Sequence, residues 1–429
     1  MSIENSKLYI KKRSLSEVML FMVFVIPLIS QFLIEIFKIP SVITYFIDAA
    51  LIVFVVILIL RKSFIFSKEL MPFSCVILLF LTYTLVVYVF KFQSPFYYFW
   101  GVRNYFRFYV AFFAFVLMMN NNKADSYLKI LDMLYWVNAV VIAVQILLGY
   151  RQDYLGGLFG VSKGCNASTL VFITIVVAKS LLEFMNGKEK ITLCLLKSSI
   201  ALVISVFSEL KMFFFLFVGV VILATLLTSF SWKKISFLLV SAFFVFVAST
   251  ILTLIFDVFK GFFSLEALIT QLTLENYASE NDIGRFTAFK SLSERFLPTI
   301  SDQLFGMGLG NCDTSAIPIF NTEFYDSYVS THYSIFSHSF LFIETGIIGF
   351  LIYCSFFIIS LVKSIKILKI SDEDNKLYSQ LAVVLSVVCF ILIVYNSSLR
   401  TDIAYLIYFV LALPFVSSDE RLHLKIQKG

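Results

Sequence analysis

The residues best suited to acid–base chemistry lie in one stretch, from Gly284 to Gly349. His338 stands where an apolar segment begins, and Glu344 follows about two helical turns into it. A histidine can take a proton from a hydroxyl near neutral pH. A carboxylate inside an apolar helix is costly, so it needs a partner or a role. Both are candidate catalytic residues, although a histidine at a membrane interface is more often structural.

Several cations near the ends of apolar segments have the chemistry to hold a phosphate. Arg285 and Arg295 lie on a segment whose aromatic residues recur at helical spacing, and Arg103 and Arg107 lie one turn apart on one helix face. A guanidinium binds phosphate through two parallel hydrogen bonds and keeps its charge. Further cations are found at Arg151, Lys211 and Arg400. We interpret these residues as a phosphate-binding set. Pairing with acidic side chains, and a plain docking role for the amphipathic segment, remain open.

The glycine run in the sequence LFGMGLGN is not typical of a nucleotide-binding loop, because no predicted strand precedes it and the phosphate-binding lysine is missing. Glycines here favour tight turns or close approach of the backbone to a ligand. The candidate substrate-binding glycines are Gly306, Gly308 and Gly310. His332 and His338 do not share a helix face, and no C-x-x-C spacing occurs, so neither pattern predicts a metal site.

The composition places these residues in a membrane protein. The 429 residues are 60% hydrophobic and 14% charged, whereas soluble domains are about 45–50% apolar. Only helices satisfy their backbone groups in lipid. About twenty apolar residues span a bilayer core, so we predict an all-α polytopic membrane protein with about twelve transmembrane helices. The predicted spans are residues 18–37, 41–60, 71–90, 101–120, 128–148, 167–185, 191–208, 212–230, 235–256, 338–362, 379–396 and 402–416.

Lysine and arginine residues concentrate in alternate loops, which indicates the orientation. A cytoplasmic N-terminus puts most of these cations inside, as the positive-inside pattern requires. We therefore predict that both termini are cytoplasmic and that residues 257–337 form one large outer loop before the tenth helix. No internal repeat of the kind found in many transporters is visible, so we assign residues 1–429 to a single transmembrane domain. The net charge of +6 comes from these loops and does not indicate nucleic-acid binding.

The motifs of this stretch resemble those of a bacterial family. A Gly-Arg-aromatic sequence at Arg285 is followed by FGMGLGN and then by HSFLFIETGIIG. This order resembles the O-antigen polymerase and O-antigen ligase superfamily, whose members are polytopic glycosyltransferases with a large periplasmic loop late in the chain. In the resemblance, Arg285 matches the loop arginine and His338 the histidine that opens the tenth span. Glu344 matches the start of the E-x-G-x-x-G sequence that ends the motif.

Other positions match the family pattern only in part. Ten residues separate Arg295 from Gly306, as in the arginine-to-glycine motif of the polymerases. Arg151 has Ser162, not glycine, at the same spacing, and Lys211 stands in a Glu-Leu-Lys sequence where the family usually has a Ser-Arg pair. The motif identity is therefore confined to about residues 280–350.

The resemblance implies a GT-C-like glycosyltransferase that uses undecaprenyl-diphosphate-linked glycan as donor and acceptor, without a metal or other cofactor. It implies a polymerase of O-antigen or capsule repeat units in the inner membrane, active at the periplasmic face beside a flippase and a chain-length regulator. Arg285 would be catalytic: together with Arg295 or with Arg103 and Arg107, it would hold the donor diphosphate and offset the charge that develops on this leaving group. His338 or Glu344 would deprotonate the acceptor. The closest alternative is an O-antigen ligase acting on lipid A–core. The alternative of another class is a flippase for lipid-linked oligosaccharides.

Overall fold

Helices are the only regular secondary structure in the part of the chain that the structure describes. This structure is a computed structural model and describes residues 15–60, 66–229, 242–243, 246–247, 250, 253–254, 281–315, 317–371 and 376–426. The α-helices are numbered in chain order as α1 (Leu15–Glu35), α2 (Tyr45–Leu60), α3 (Met71–Phe90), α4 (Pro95–Met118), α5 (Asn121–Leu147), α6 (Asn166–Met185), α7 (Ile191–Phe207), α8 (Lys211–Leu226), α9 (Ala288–Arg295), α10 (Ile300–Phe305), α11 (Glu323–Tyr328), α12 (Ser337–Ile370), α13 (Lys376–Tyr395) and α14 (Ala404–Ile426). Short 3₁₀ helices lie at Ser41–Thr44, Gln152–Tyr154, Gly157–Phe159, Pro318–Phe320, Val329–Thr331 and Tyr333–Ile335.

Seven of the described helices are long and apolar enough to cross a bilayer. They are α1, α2 with its preceding turn (Ser41–Leu60), α3, α5, α6, α12 and α13. The helices α7, α8 and the first part of α14 are apolar but shorter. Each predicted span lies on one of these helices or on α4, except the ninth, at 235–256, which falls largely outside the described residues. The helices are those expected of a polytopic membrane protein, and the all-α prediction is confirmed for the described residues.

The centre of the bundle is formed by α6, α13 and α14. In the most apolar stretch of α6, 83% of the residues are buried, and in α13 the share is 78%. The corresponding shares for α1, α2 and α3 are only 33%, 28% and 28%. The exposed residues of α2 include Phe46, Ile52 and Leu60, which are apolar. The outer helices therefore present an apolar surface suited to lipid, while the first part of α14, from Ala404 to Val416, is enclosed by protein.

The polar segment 281–336 packs over one end of the bundle, which we call the loop end. Here α1 and α3 end, α4 and α12 begin, and residues 396–403 connect α13 to α14. The Lys91 ammonium, just after α3, lies 2.7 Å from the Asp302 carboxylate in α10. The Trp100 indole in α4 donates a hydrogen bond of 3.1 Å to the Thr314 carbonyl. The segment is thus anchored to several helices at their ends.

The amphipathic segment of the long loop forms the helix α9, as its spacing predicts. Ala288 and Leu292 on its apolar side are fully buried. The Phe289 ring packs against Phe342 of α12, with 4.5 Å between the ring centroids. The apolar side of α9 therefore docks on α12. Residues 257–280 of the predicted loop lie outside the described residues.

A break in α12 positions the rest of the loop. Gly346 takes φ 62° and ψ −173°, which interrupts the helix. The carbonyls freed by the break find other donors, as backbone groups in an apolar region must. The Met307 amide bonds to the Ile343 carbonyl at 2.8 Å, and the Tyr83 hydroxyl bonds to the Thr345 carbonyl at 2.7 Å. A Cβ on Gly346 would collide with the Leu304 carbonyl. Glycine is required here because a second backbone occupies the space of a side chain.

Candidate functional site

A cavity of about 720 Å³ opens at the loop end of the bundle. Residues from α1, α2 and α4 form one side, and the segments around Asp313 and Arg400 form the other. Its charged lining comprises three arginines and three aspartates, namely Arg103, Arg107, Arg400, Asp48, Asp313 and Asp402. Guanidinium groups bind anions, and carboxylates accept hydrogen bonds from hydroxyl groups. The cavity can therefore receive a ligand that carries both an anion and hydroxyls.

Arg103 forms a two-point ion pair with Asp48 of α2. Its Nη2 lies 2.6 Å from Oδ2 of Asp48, and its Nε lies 3.2 Å from Oδ1. Its Nη1 donates to the Asn104 side chain at 2.8 Å, and the guanidinium carbon lies 4.8 Å from the centroid of the Trp100 ring. The group is held in a fixed plane at the cavity wall. Asp48 is the anchor of this guanidinium.

Arg107 follows one turn later in α4 and also lines the cavity, as the predicted shared face requires. Its Nη1 lies 3.0 Å from the Asp402 carboxylate, and its Nη2 donates to the Arg400 carbonyl at 3.1 Å. The Arg107 side chain is 12% exposed, so its guanidinium is shielded from solvent more than that of Arg103, whose side chain is 30% exposed. Arg107 thereby connects α4 to the turn between α13 and α14.

Arg400 lies across the cavity from α4. Its Nη2 donates to the Ser334 carbonyl at 2.6 Å, and its guanidinium carbon lies 3.5 Å from the centroid of the Phe340 ring. Its Nε is buried and has no hydrogen-bond partner among the described residues. A stacked guanidinium is oriented in advance for a planar or bidentate contact. Arg103, Arg107 and Arg400 are thus three predicted cations that the fold brings into one cavity.

The other predicted cations lie away from the cavity lining. The Arg285 guanidinium lies between the rings of Phe336 and Tyr395, 5.1 Å and 4.4 Å from their centroids. Arg295 is exposed and donates to a backbone carbonyl at 2.6 Å. Arg151 is exposed in the loop before α6, and Lys211 begins α8. Substrate binding by these four residues stays a prediction.

The predicted glycine positions make backbone contacts with neighbouring helices. Gly310 takes φ 84°, and a Cβ there would collide with the Tyr97 carbonyl and lie 3.0 Å from the Gly101 nitrogen in α4. Gly306 and Gly308 also take positive φ angles, at the break in α12 and beside Gln93 respectively. None of the three is part of the cavity lining among the described residues. Their close approach to the helices brings Asp313 to the cavity.

Glu344 is fully buried and is hydrogen-bonded to the segment from Gly306 to Cys312, which we call the glycine loop. Its Oε1 accepts hydrogen bonds from the backbone amides of Gly310 and Cys312, at 3.0 Å and 3.2 Å. Its Oε2 has no hydrogen-bond partner among the described residues. The partner that a carboxylate in an apolar helix needs is supplied by these backbone amides. Glu344 therefore fixes the backbone that leads into Asp313.

His338 is also buried, with 6% of its surface exposed. Its Nε2 lies 2.8 Å from the Arg285 carbonyl, and its Nδ1 lies 3.2 Å from the Ile393 carbonyl. A carbonyl oxygen only accepts hydrogen bonds, and a neutral imidazole has one N–H, so the neutral ring donates to only one of these two carbonyls. The ring is packed between Phe289 and Phe336 and is not part of the cavity lining among the described residues. In this structure His338 connects α9, α12 and α13.

Sequence reasoning selected none of the three acidic residues in the cavity. Asp48, Asp313 and Asp402 follow no motif and no periodic pattern of acidic residues. Asn104, which donates to the Asp313 carboxylate at 2.6 Å, was also missed. The one available signal was its position between Arg103 and Arg107 in α4.

No family model, curated protein or solved structure matches the chain. The function must therefore be argued from the cavity itself.

Proposed function

We propose that the protein is a glycosyltransferase that polymerises undecaprenyl-diphosphate-linked oligosaccharide repeat units. The observation that carries this proposal is the three-arginine cavity at one end of an apolar helix bundle. A diphosphate needs several guanidinium or ammonium groups in a small volume. A membrane-embedded bundle brings such a site to the depth of a lipid headgroup.

The size and lining of the cavity suit a diphosphate joined to a sugar. Ligand pockets are commonly about 300–1,000 Å³, and the observed volume of about 720 Å³ lies within that range. Arg103, Arg107 and Arg400 offer the anion site, while Asn104, Asp313 and Ser315 offer partners for hydroxyl groups. The cavity has room for the reacting sugars, and a longer glycan extends from its opening.

An apolar surface borders the cavity where a lipid tail is required. Ile34, Tyr45 and Ile47 of α1 and α2 contribute to the lining. Phe37 and Phe46, in the same region of the chain, are exposed by 63% and 58%. Large exposed apolar side chains beside a polar site are typical of lipid or partner contact. The polyprenyl chain lies along this surface while its diphosphate enters the cavity.

The reaction then needs no activated nucleotide sugar. A hydroxyl of the acceptor repeat attacks the anomeric carbon of the donor glycan, and the diphosphate leaves with the bonding electrons. Fixed cations stabilise the charge that develops on this leaving group. In the proposed topology the chain spans the inner membrane about twelve times, with both termini cytoplasmic and residues 257–337 in the periplasm. A flippase would supply the lipid-linked units, and a chain-length regulator would limit the product.

The test is an elongation assay with purified protein in lipid nanodiscs. The substrate is the lipid-linked repeat extracted from the encoding bacterium after deletion of this gene, and the readout is glycan length by mass spectrometry. Wild type should produce glycans of several repeats, while Arg107→Ala should lower the rate by roughly 100-fold or more. Lys163→Ala, at an exposed loop position, is the matched control and should retain the wild-type rate.

Two other outcomes distinguish the alternatives. Transfer of glycan to added lipid A–core without elongation would identify a ligase. Movement of lipid-linked units across vesicles without any new glycosidic bond would identify a flippase. Either result would overturn the polymerase proposal.

A further inference from the structure

The three carboxylates of the cavity are held in two different ways. Asp48 and Asp402 form ion pairs with Arg103 and Arg107, at 2.6 Å and 3.0 Å. Among the described residues, no cationic side chain forms an ion pair with Asp313. Its Oδ2 accepts from the Asn104 amide at 2.6 Å, and its Oδ1 accepts from the Thr314 backbone amide at 2.8 Å. Asp313 therefore differs from the other two because both of its bonding partners are neutral.

We propose that Asp313 is the base that takes the proton from the acceptor sugar hydroxyl. This assignment rests on the glycosyl-transfer function proposed above. An ionised carboxylate offers about four lone-pair sites. The two hydrogen bonds to Asp313 leave sites free, and the residue lines the cavity. An acceptor hydroxyl in the cavity can therefore donate to it directly. A carboxylate in an ion pair is a poorer base, since its guanidinium partner stabilises the charged form.

The backbone around Asp313 is fixed from several directions. Glu344 accepts from the Cys312 amide at 3.2 Å, and the Tyr333 hydroxyl donates to the Cys312 carbonyl. The Thr322 hydroxyl donates to the carbonyl of Asp313 itself at 3.0 Å. Burial raises the pKa of Tyr333 well above its usual value, so its hydroxyl stays protonated and remains a donor. Such support keeps a catalytic group within the narrow range of productive positions.

This arrangement assigns different roles to the two acidic residues near the glycine loop. Asp313 touches the substrate and is catalytic, while Glu344 is a positioning residue that acts through the Gly310 and Cys312 amides. His338 cannot replace Asp313 from its present position, because it lies outside the cavity lining and both ring nitrogens face backbone carbonyls.

The step balances in protons and electrons. The acceptor O–H bond breaks and its proton moves to the Asp313 carboxylate. The oxygen electron pair forms the new bond to the anomeric carbon, and the bond from that carbon to the diphosphate oxygen breaks. The diphosphate keeps that electron pair and remains beside Arg103 and Arg107. Asp313 then loses its proton to water as the product leaves the cavity.

The test compares kcat, KM and undecaprenyl diphosphate binding among purified variants, with the extracted lipid-linked repeat as substrate. Asp313→Asn should lower kcat by roughly 100- to 10,000-fold, which is the usual range for removal of a general base. Its affinity for undecaprenyl diphosphate should stay at the wild-type value, since the arginines are unchanged, and this binding also shows that the variant is folded. Asp313→Glu should recover part of the lost rate.

Glu344→Gln is the contrasting variant, because its side-chain oxygen can still accept from both backbone amides. It should keep kcat far closer to wild type than Asp313→Asn does. Near-wild-type kcat in Asp313→Asn, or a larger loss in Glu344→Gln, would overturn the assignment of the base while wild-type elongation continued. Absence of elongation by wild-type protein would instead overturn the proposed function, so the two failures are distinguishable.

Discussion

Gly310 is where the glycine loop touches α4, and one added methyl group there should disturb the whole site. The Cβ of Gly310→Ala would collide with the Tyr97 carbonyl and lie 3.0 Å from the Gly101 nitrogen. The residue also holds φ 84°, a region in which alanine is strained. The loop must shift away from α4, and Asp313 must shift with it.

The size of the effect follows from two contributions. A non-glycine residue with positive φ costs on the order of 1–3 kcal/mol. Overpacking against a rigid backbone adds about 1–3 kcal/mol. Gly149→Ala separates the two, because Gly149 has φ 91° with nothing within 4 Å of its added Cβ. Gly310→Ala should therefore be less stable than Gly149→Ala by about 1–3 kcal/mol.

The assay is thermal or denaturant unfolding of both variants in the same detergent, followed by the rate of glycan elongation. A displacement of about 1 Å at a reacting group can cost on the order of 100-fold in rate. Gly310→Ala should show such a loss, whereas Gly149→Ala should keep the wild-type rate. Equal stability and equal activity of the two variants would refute the close contact between the glycine loop and α4.

Three further predictions concern ion pairs and the buried histidine. Arg103→Lys keeps the charge but loses the two-point contact with Asp48, so its elongation rate should lie between those of wild type and Arg103→Ala; an Arg103→Ala rate equal to that of wild type would contradict a role in donor binding. Lys91 holds the pKa of Asp302 below its usual value. The ion pair therefore stabilises the fold at pH values above the pKa of an unfolded aspartate, and this stabilisation is lost as pH falls through the lowered pKa of the folded state. Asp302→Asn should therefore lower the free energy of unfolding by under about 1 kcal/mol at neutral pH and leave it unchanged in strong acid. A loss of stability that grows as pH falls would contradict this prediction. His338→Asn should lower the unfolding temperature and still support elongation; a fully stable but inactive variant would restore His338 as the base.

The helices could be predicted from the sequence because their signal is local. A run of about twenty apolar residues is sufficient to specify a membrane helix, and α1, α3 and α6 lie close to the predicted spans. The spacing of Arg103 and Arg107 likewise placed both on one face of α4. In each case the information lies within a single segment.

Features that depend on contacts between distant segments could not be predicted from the sequence. The break in α12 at Gly346 requires the backbone at Leu304 to lie in the space of a missing side chain. The sequence predicts that Glu344 needs a partner or a role, but not that backbone amides of the glycine loop are its partners. Asp313 enters the site only because that loop packs against α4. None of these contacts leaves a periodic signal in the sequence.

The most direct test of the account is a structure of the protein with undecaprenyl diphosphate bound. Our proposal predicts diphosphate oxygens within about 3 Å of guanidinium nitrogens, supplied by Arg103, Arg107 and Arg400. The polyprenyl chain should lie along the exposed apolar residues between α1 and α2. A diphosphate bound elsewhere, such as beside Arg285, with the cavity left unfilled, would contradict diphosphate binding by the three cavity arginines.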